Sequence, residues 1–180
     1  MQYRILIIIA ILSVITFSCR KEDLPGNNET GNTGSGNNGG TTPAPDVVYN
    51  VSKSKMLQLI NNVRQAGCNC GTTSMPPVAV VAWNDRLAKA SYDHSVEMKS
   101  NNYFSHTGLN GSNAGQRITA AGYSWKTWGE NIAKGYTSEQ AVVSGWLTSE
   151  GHCKNIMGAN FKEMGVGRQE NYWTQVFGAK

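Results

Sequence analysis

The stretch EMGVGRQENYWTQVFG, Glu163 to Gly178, sets valine, tryptophan, valine and phenylalanine around a polar turn near Gln169 to Asn171. Such a run of β-type side chains, broken once by turn residues, predicts two strands. The sequence before it has a different period. Met56, Leu59, Ile60 and Val63 follow helical spacing after Ser52 or Ser54, and that helix should stop before Gly67. A second helix after Asn84 brings Leu87, Ala90, Ser91, His94 and Met98 to one face. Gln116 to Ala121 reads as a short helix ended by Gly122. Thr137-Ser-Glu-Gln140 reads as a capping box that opens a helix through Val142, Val143, Trp146 and Leu147. Ser149 or Glu150 starts one more short helix, with His152 and Ile156 in it. Helices first and strands last predict an α+β sandwich.

At 180 residues the chain holds one ordinary domain once its first part is set aside. Residues 1–18 combine a basic start at Arg4, an apolar run from Ile5 to Ile15 interrupted by Ser13, and a small Ser18. This reads as a signal peptide, because a spanning helix needs roughly 20 apolar residues. ITFSC, ending at Cys19, resembles the lipobox at which bacterial lipoproteins are cut and acylated, which implies a membrane anchor through an N-terminal lipid. Each buried methylene of such an anchor contributes about 0.8 kcal/mol. Ordinary secretory cleavage, with Cys19 discarded or left as a thiol, is the alternative. The RKED that follows is similar to the signal that sends lipoproteins to the outer surface in some Gram-negative bacteria. The expected location is therefore extracytoplasmic, lipid-anchored at the outer membrane and exposed at the surface.

Residues 19–46 form the lipidated start and a tether. PGNNETGNTGSGNNGGTTPAP, Pro25 to Pro45, lacks aromatic and β-branched apolar residues and cannot bury enough surface to fold. About 20 flexible residues reach roughly 25 Å, enough to hold a domain clear of lipid headgroups. The folded domain is expected over 52–179. A net charge of +4 with scattered Lys and Arg provides no patch for nucleic acid, and a monomer is expected.

Within the folded part stand Cys68, Cys70 and Cys153, in a chain exported to an oxidising compartment. A bond between positions i and i+2 closes a strained ring, so the expected disulfide runs from Cys68 or Cys70 to Cys153. A zinc site using Cys68, Cys70 and a histidine is the weaker alternative, since CxC without a second cysteine pair is a poor zinc pattern.

WNDRLAKASYDHSVEM, NYFSHTG, GYSWKTWGENIAKGY, VVSGWLTSEGHCKNIM and MGVGRQENYWTQVFG, in this order over Ser52 to Gly178, together resemble the CAP superfamily. Its members include cysteine-rich secretory proteins, venom antigen 5 and plant pathogenesis-related proteins, and the match is to the bacterial branch. The resemblance implies a three-layer α-β-α sandwich with a central, mostly antiparallel sheet. It also implies the choice of Cys70 as the partner of Cys153. Many eukaryotic members share a cleft of two histidines and two glutamates that can hold a divalent metal such as zinc. His106 falls on the first cleft histidine and Glu130 of GEN on the first glutamate. Ser149 stands where the second glutamate belongs, with Glu150 one residue late, and Tyr172 stands at the last histidine. Half of the tetrad is kept.

His152 could complete a three-ligand set with His106 and Glu130, leaving Glu150 as a proton carrier, because a catalytic zinc needs three protein ligands and a water. The simpler reading makes GHCKNI a structural helix start. A triad built on Ser105 or Ser149 lacks a GxSxG elbow, and Ser105 and His106 would point to opposite faces of a strand. His94, on an apolar helix face, reads as a core histidine with one backbone partner. Trp83, Trp128, Trp146 and Trp173 read as core or cleft walls, with Trp125 as the exposed exception. The leading expectation is a binding module for a lipid-like ligand or an envelope partner, with no required cofactor and no assigned catalytic residue. A metal-dependent hydrolase of peptides or cell-wall material and a structural envelope protein are the alternatives.

Overall fold

The computed structural model describes residues 45–180, so the expected signal peptide, Cys19 and nearly all of the expected tether lie outside it. In chain order it contains β1 (Val47–Val48), β2 (Val51–Ser52), α1 (Lys53–Ala66), β3 (Cys68–Cys70), β4 (Thr73–Met75), β5 (Ala82–Trp83) and α2 (Asp85–Ser100). There follow α3 (Ala114–Ala120), β6 (Thr127–Lys134), α4 (Glu139–Thr148), α5 (Glu150–Ile156), β7 (Glu163–Gln169) and β8 (Tyr172–Ala179). Side chains start the helices as capping chemistry requires. Ser52 accepts from the Lys55 amide, and Asn84 from those of Arg86 and Leu87. The predicted box at Thr137 to Gln140 is instead a single cap, Ser138 to the Ala141 amide, because Ala141 at the third helical position has no acceptor to return. The reciprocal box belongs to α3, where Asn113 and Gln116 each accept from the other's amide.

The central sheet has the order β5-β7-β8-β6, with β5 parallel to β7 and the other pairs antiparallel. This is the expected mostly antiparallel sheet of an α+β fold. Strand β8 shows why it needs cover on both sides: all eight of its residues are buried. Trp173 and Phe177 join the core formed with α1, α4 and α5, while Val176 packs with Leu87 and Ala90 of α2 and Ile118 of α3, and Tyr172 with Met98 of α2. Alternation along one strand therefore serves two helical layers.

Helix α2 lies tightly on β7. A Cβ at Gly165 would run into the backbone of Leu87 and Ala88, and one at Gly167 into the backbone of Tyr92. Two buried hydroxyls use the closeness: Ser91 donates to the Leu87 and Gly165 carbonyls, and Ser95 to the Gly167 carbonyl at 3.0 Å. On the other face, Cys70 and Cys153 are joined as a disulfide between β3 and α5. Closing a loop of this size contributes roughly 4.5 kcal/mol in the chain-entropy account. Arg64 of α1 is fully buried and donates to the carbonyls of Ala79, Ile156 and Gly158, which ties the end of α5 to the first helix.

Candidate functional site

Strand β6 is an edge of the sheet, and Glu130 points from it toward the layer of α2 and α3. Its carboxylate meets two basic side chains of that layer. His106, in the loop between α2 and α3, places Nδ1 2.8 Å from Oε1, and Arg117 of α3 places Nη2 2.6 Å from Oε2. The Glu130 side chain is 3% exposed, Arg117 11% and His106 57%. A carboxylate removed from water costs several kcal/mol unless it is paired and hydrogen-bonded, and here each oxygen has its own donor. Because a carboxylate only accepts, Nδ1 of His106 carries the donated proton, and Nε2 is the ring's remaining polar atom.

The loop that carries His106 is fastened at several points. Glu97 of α2 accepts from the Tyr103 hydroxyl at 2.7 Å and from the Leu109 amide at 3.1 Å. Burial alone would push the Glu97 carboxyl up, but these two donors and His94 hold it below the usual range. His94 is the expected core histidine: it is 1% exposed and its Nε2 donates to the Ser105 carbonyl at 2.9 Å. Its Nδ1 lies 3.3 Å from Glu97, longer than a charge-assisted bond, while burial and then the nearby Arg117 charge push its pKa down. In the neutral ring Nδ1 therefore carries no proton, and it donates to Glu97 only when His94 is protonated. Arg117 also donates to the carbonyls of Ser112 and His106, at 2.9 and 3.0 Å.

On the other side of β6, amides replace charges. Asn155 of α5 donates to the Glu130 carbonyl at 3.0 Å and to Asn131 Oδ1 at 2.9 Å; Asn131 donates to Gln175 and to the His152 carbonyl. A cavity of about 330 Å³ opens between these layers at the sheet edge, lined by His106, Thr107, Asn113, Trp128, Glu130 and Asn155 among others.

The expected residues do not all assemble there. Glu130 and Asn131 are strand neighbours and point to opposite faces. His152, whose carbonyl is held by Asn131, belongs to the α5 side, whereas Glu130 belongs to the α3 side. His152 does feel the other histidine: burial first, and then the charge of His106, push its pKa down. Among the described residues, Cys68, Cys70 and Cys153 are the only three ligand-type side chains whose donor atoms lie within 4.8 Å of one another. The set of His106, Glu130 and His152 is thus not gathered around one point. Glu150 is also outside the cleft. Its side chain is half exposed and paired with Lys154 at 2.5 Å, a partner one helical turn away that holds the carboxylate pKa down. Tyr172 is 3% exposed beside Met98 and Ile132, with the Lys134 ammonium 4.5 Å from its ring centre. Glu130 pairs in register with Val176, four residues along β8, so Tyr172 stands roughly 13 Å away along the strand.

The donor set does not suit a divalent metal. Ser149 and Tyr172 remove two of the four ligands that the family pattern supplies, and both oxygens of the remaining carboxylate already face basic groups. Arg117, the residue that completes this arrangement, had no signal in the sequence: a single basic residue on a seven-residue helix is ordinary surface until its partner is known.

A family model described as CAP, the cysteine-rich secretory protein family, matches residues 57–177. Two uncharacterized proteins of Bacillus subtilis are each 37% identical to this chain: YkwD over 76% of the chain and 50% of its own length, and the membrane protein YlbC over 72% and 35%. The chain thus spans half or less of the curated relatives it matches. An extracellular protein containing an SCP domain from Bacillus anthracis shares 32% identity and a TM-score of 0.63, over 71% of this chain and 40% of that one. An outer surface protein of Borrelia burgdorferi shares the fold at 20% identity and a TM-score of 0.57, over 71% and 88%.

Proposed function

Because this chain belongs to the cysteine-rich secretory protein (CAP) family, we propose that it is an extracytoplasmic binding domain, held to the envelope by an acylated Cys19 and a flexible tether. Its cleft takes a polar group of an envelope partner. The observation that carries this reading is the contrast at one hydrogen bond: Glu130 is buried and has a donor on each oxygen, while His106, bonded to it, is 57% exposed. A buried carboxylate that holds an exposed imidazole presents a polar atom, Nε2, at a cavity also lined by Thr107, Asn113 and Asn155 and by Ala114, Gly129 and the Trp128 ring. Such a lining offers hydrogen-bond partners to amide or hydroxyl groups beside an apolar wall. The Cys70–Cys153 disulfide suits an oxidising compartment, as does the extracellular relative from Bacillus anthracis.

A hydrolase reading draws on the same pair, since a carboxylate bonded to a histidine is how many enzymes orient a general base. Among the described residues the His106 ring bonds to Glu130 and to no hydroxyl or thiol nucleophile. Binding is the better account. Titrating the full chain with a soluble peptidoglycan digest should move the His106 and Trp128 ring resonances, while liposomes should leave them in place. The digest should be unchanged by mass spectrometry. Movement by liposomes alone would replace the polar partner with a lipid, and new cleavage products would establish the hydrolase.

A further inference from the structure

Arg117 is bonded as a bound cation would be. From Nη2 it donates to Glu130 and to the His106 carbonyl, and from Nη1 to the Ser112 carbonyl. Its three acceptors come from the first part of the α2–α3 loop, from its end, and from the edge strand. A carboxylate oxygen and two backbone carbonyls are hard oxygen donors, the kind that hold divalent ions. Here a guanidinium fork reaches all three, and its side chain is 11% exposed.

The charge balance follows from this placement. Glu130 supplies one negative charge, and Arg117, which does not deprotonate in proteins, cancels it at 2.6 Å. A divalent ion approaching His106 and Glu130 would meet a fixed positive group against the same carboxylate, largely shielded from solvent, where repulsion is poorly screened. Displacing the guanidinium would also leave the Ser112 and His106 carbonyls without their donor.

We propose that Arg117 is the resident cation of this cleft: it neutralises Glu130, keeps divalent metals off the His106–Glu130 pair, and clasps the α2–α3 loop so that His106 Nε2 faces the opening. The proposal deepens the binding reading and rests on it for the role of the cleft, but it can be tested with metal alone. A loss of envelope binding would therefore not be confused with its failure.

The test is a titration of the full chain with cobalt(II), followed by calorimetry and by the His106 ring resonances, in the wild type and in Arg117→Met and Arg117→Lys. The wild type should show no His106-dependent site. Arg117→Met should gain one at least roughly tenfold tighter than any site in the wild type, removed again by His106→Ala or Glu130→Gln in the same background. Arg117→Lys, which keeps the charge, should stay silent. Cobalt binding at His106 in the wild type as tight as in Arg117→Met would overturn the proposal, and so would a folded Arg117→Met with no His106-dependent site. If methionine prevents folding, Arg117→Gln keeps hydrogen-bonding capacity without charge and carries the same two outcomes.

Discussion

The sulfur of Cys68 lies 3.7 Å from that of Cys153, although Cys153 is bonded to Cys70. Cys68 and Cys70 are two apart on β3, so both point to the face that α5 covers. In Cys70→Ser, Cys68 is therefore expected to form the bond with Cys153, seen as a Cys68–Cys153 peptide in a non-reduced digest. Removing both Cys68 and Cys70 should cost roughly 2–5 kcal/mol by denaturant unfolding. A reduced Cys153 in the single variant would contradict the shared-face geometry.

Glu130 and His106 share one bond but should differ in their weight. Glu130→Gln leaves a nearly buried guanidinium without its counter-charge and should destabilise by about 3 kcal/mol. His106→Ala removes a partner that is more than half exposed and should cost under about 1 kcal/mol. Paired unfolding curves check the order, and equal losses would mean that the imidazole is structural.

His152 provides a pH test. Its folded pKa lies below the ordinary 6.5 because of burial and then the charge of His106. The unfolded chain therefore binds a proton more readily, so this contribution to stability is full above pH 6.5 and is lost as pH falls through the depressed folded value. In His106→Ala the His152 pKa should move up, as read from ring proton shifts. No movement would show that the two rings do not sense each other.

Gly167→Ala should destabilise by about 1–3 kcal/mol, because the new methyl meets the Tyr92 backbone and α2 must lift from β7. Gly111→Ala is the control for a glycine with open space, where only its positive φ opposes the change. Thermal melts of the two variants should separate collision from backbone strain.

How much of this was legible depended on distance along the chain. The buried face of α2, the α1 stripe and the closing hairpin follow from local period, and the structure keeps them. Strand β6 did not show itself, because Glu130 and Asn131 interrupt any apolar alternation. Both are buried only because partners from α3, α5 and β8 satisfy them. The same reason hid Arg117. Counting along a family pattern sets Glu150 and Tyr172 at the cleft, but a nearer partner holds each: Lys154 one turn away and the Met98–Ile132 cluster.

Strand β6 ends the sheet, and an edge of eight residues could pair with another chain. Its carbonyls at Glu130 and Ile132, two apart and facing the same way, are already taken. Asn155 donates to the first at 3.0 Å and the Trp146 indole to the second at 3.4 Å. Side chains of α4 and α5 thus stand where the amides of an incoming strand would bind. The edge that carries the cleft is blocked to strand addition at these two carbonyls, so two copies of the domain can meet there without zipping into a shared sheet.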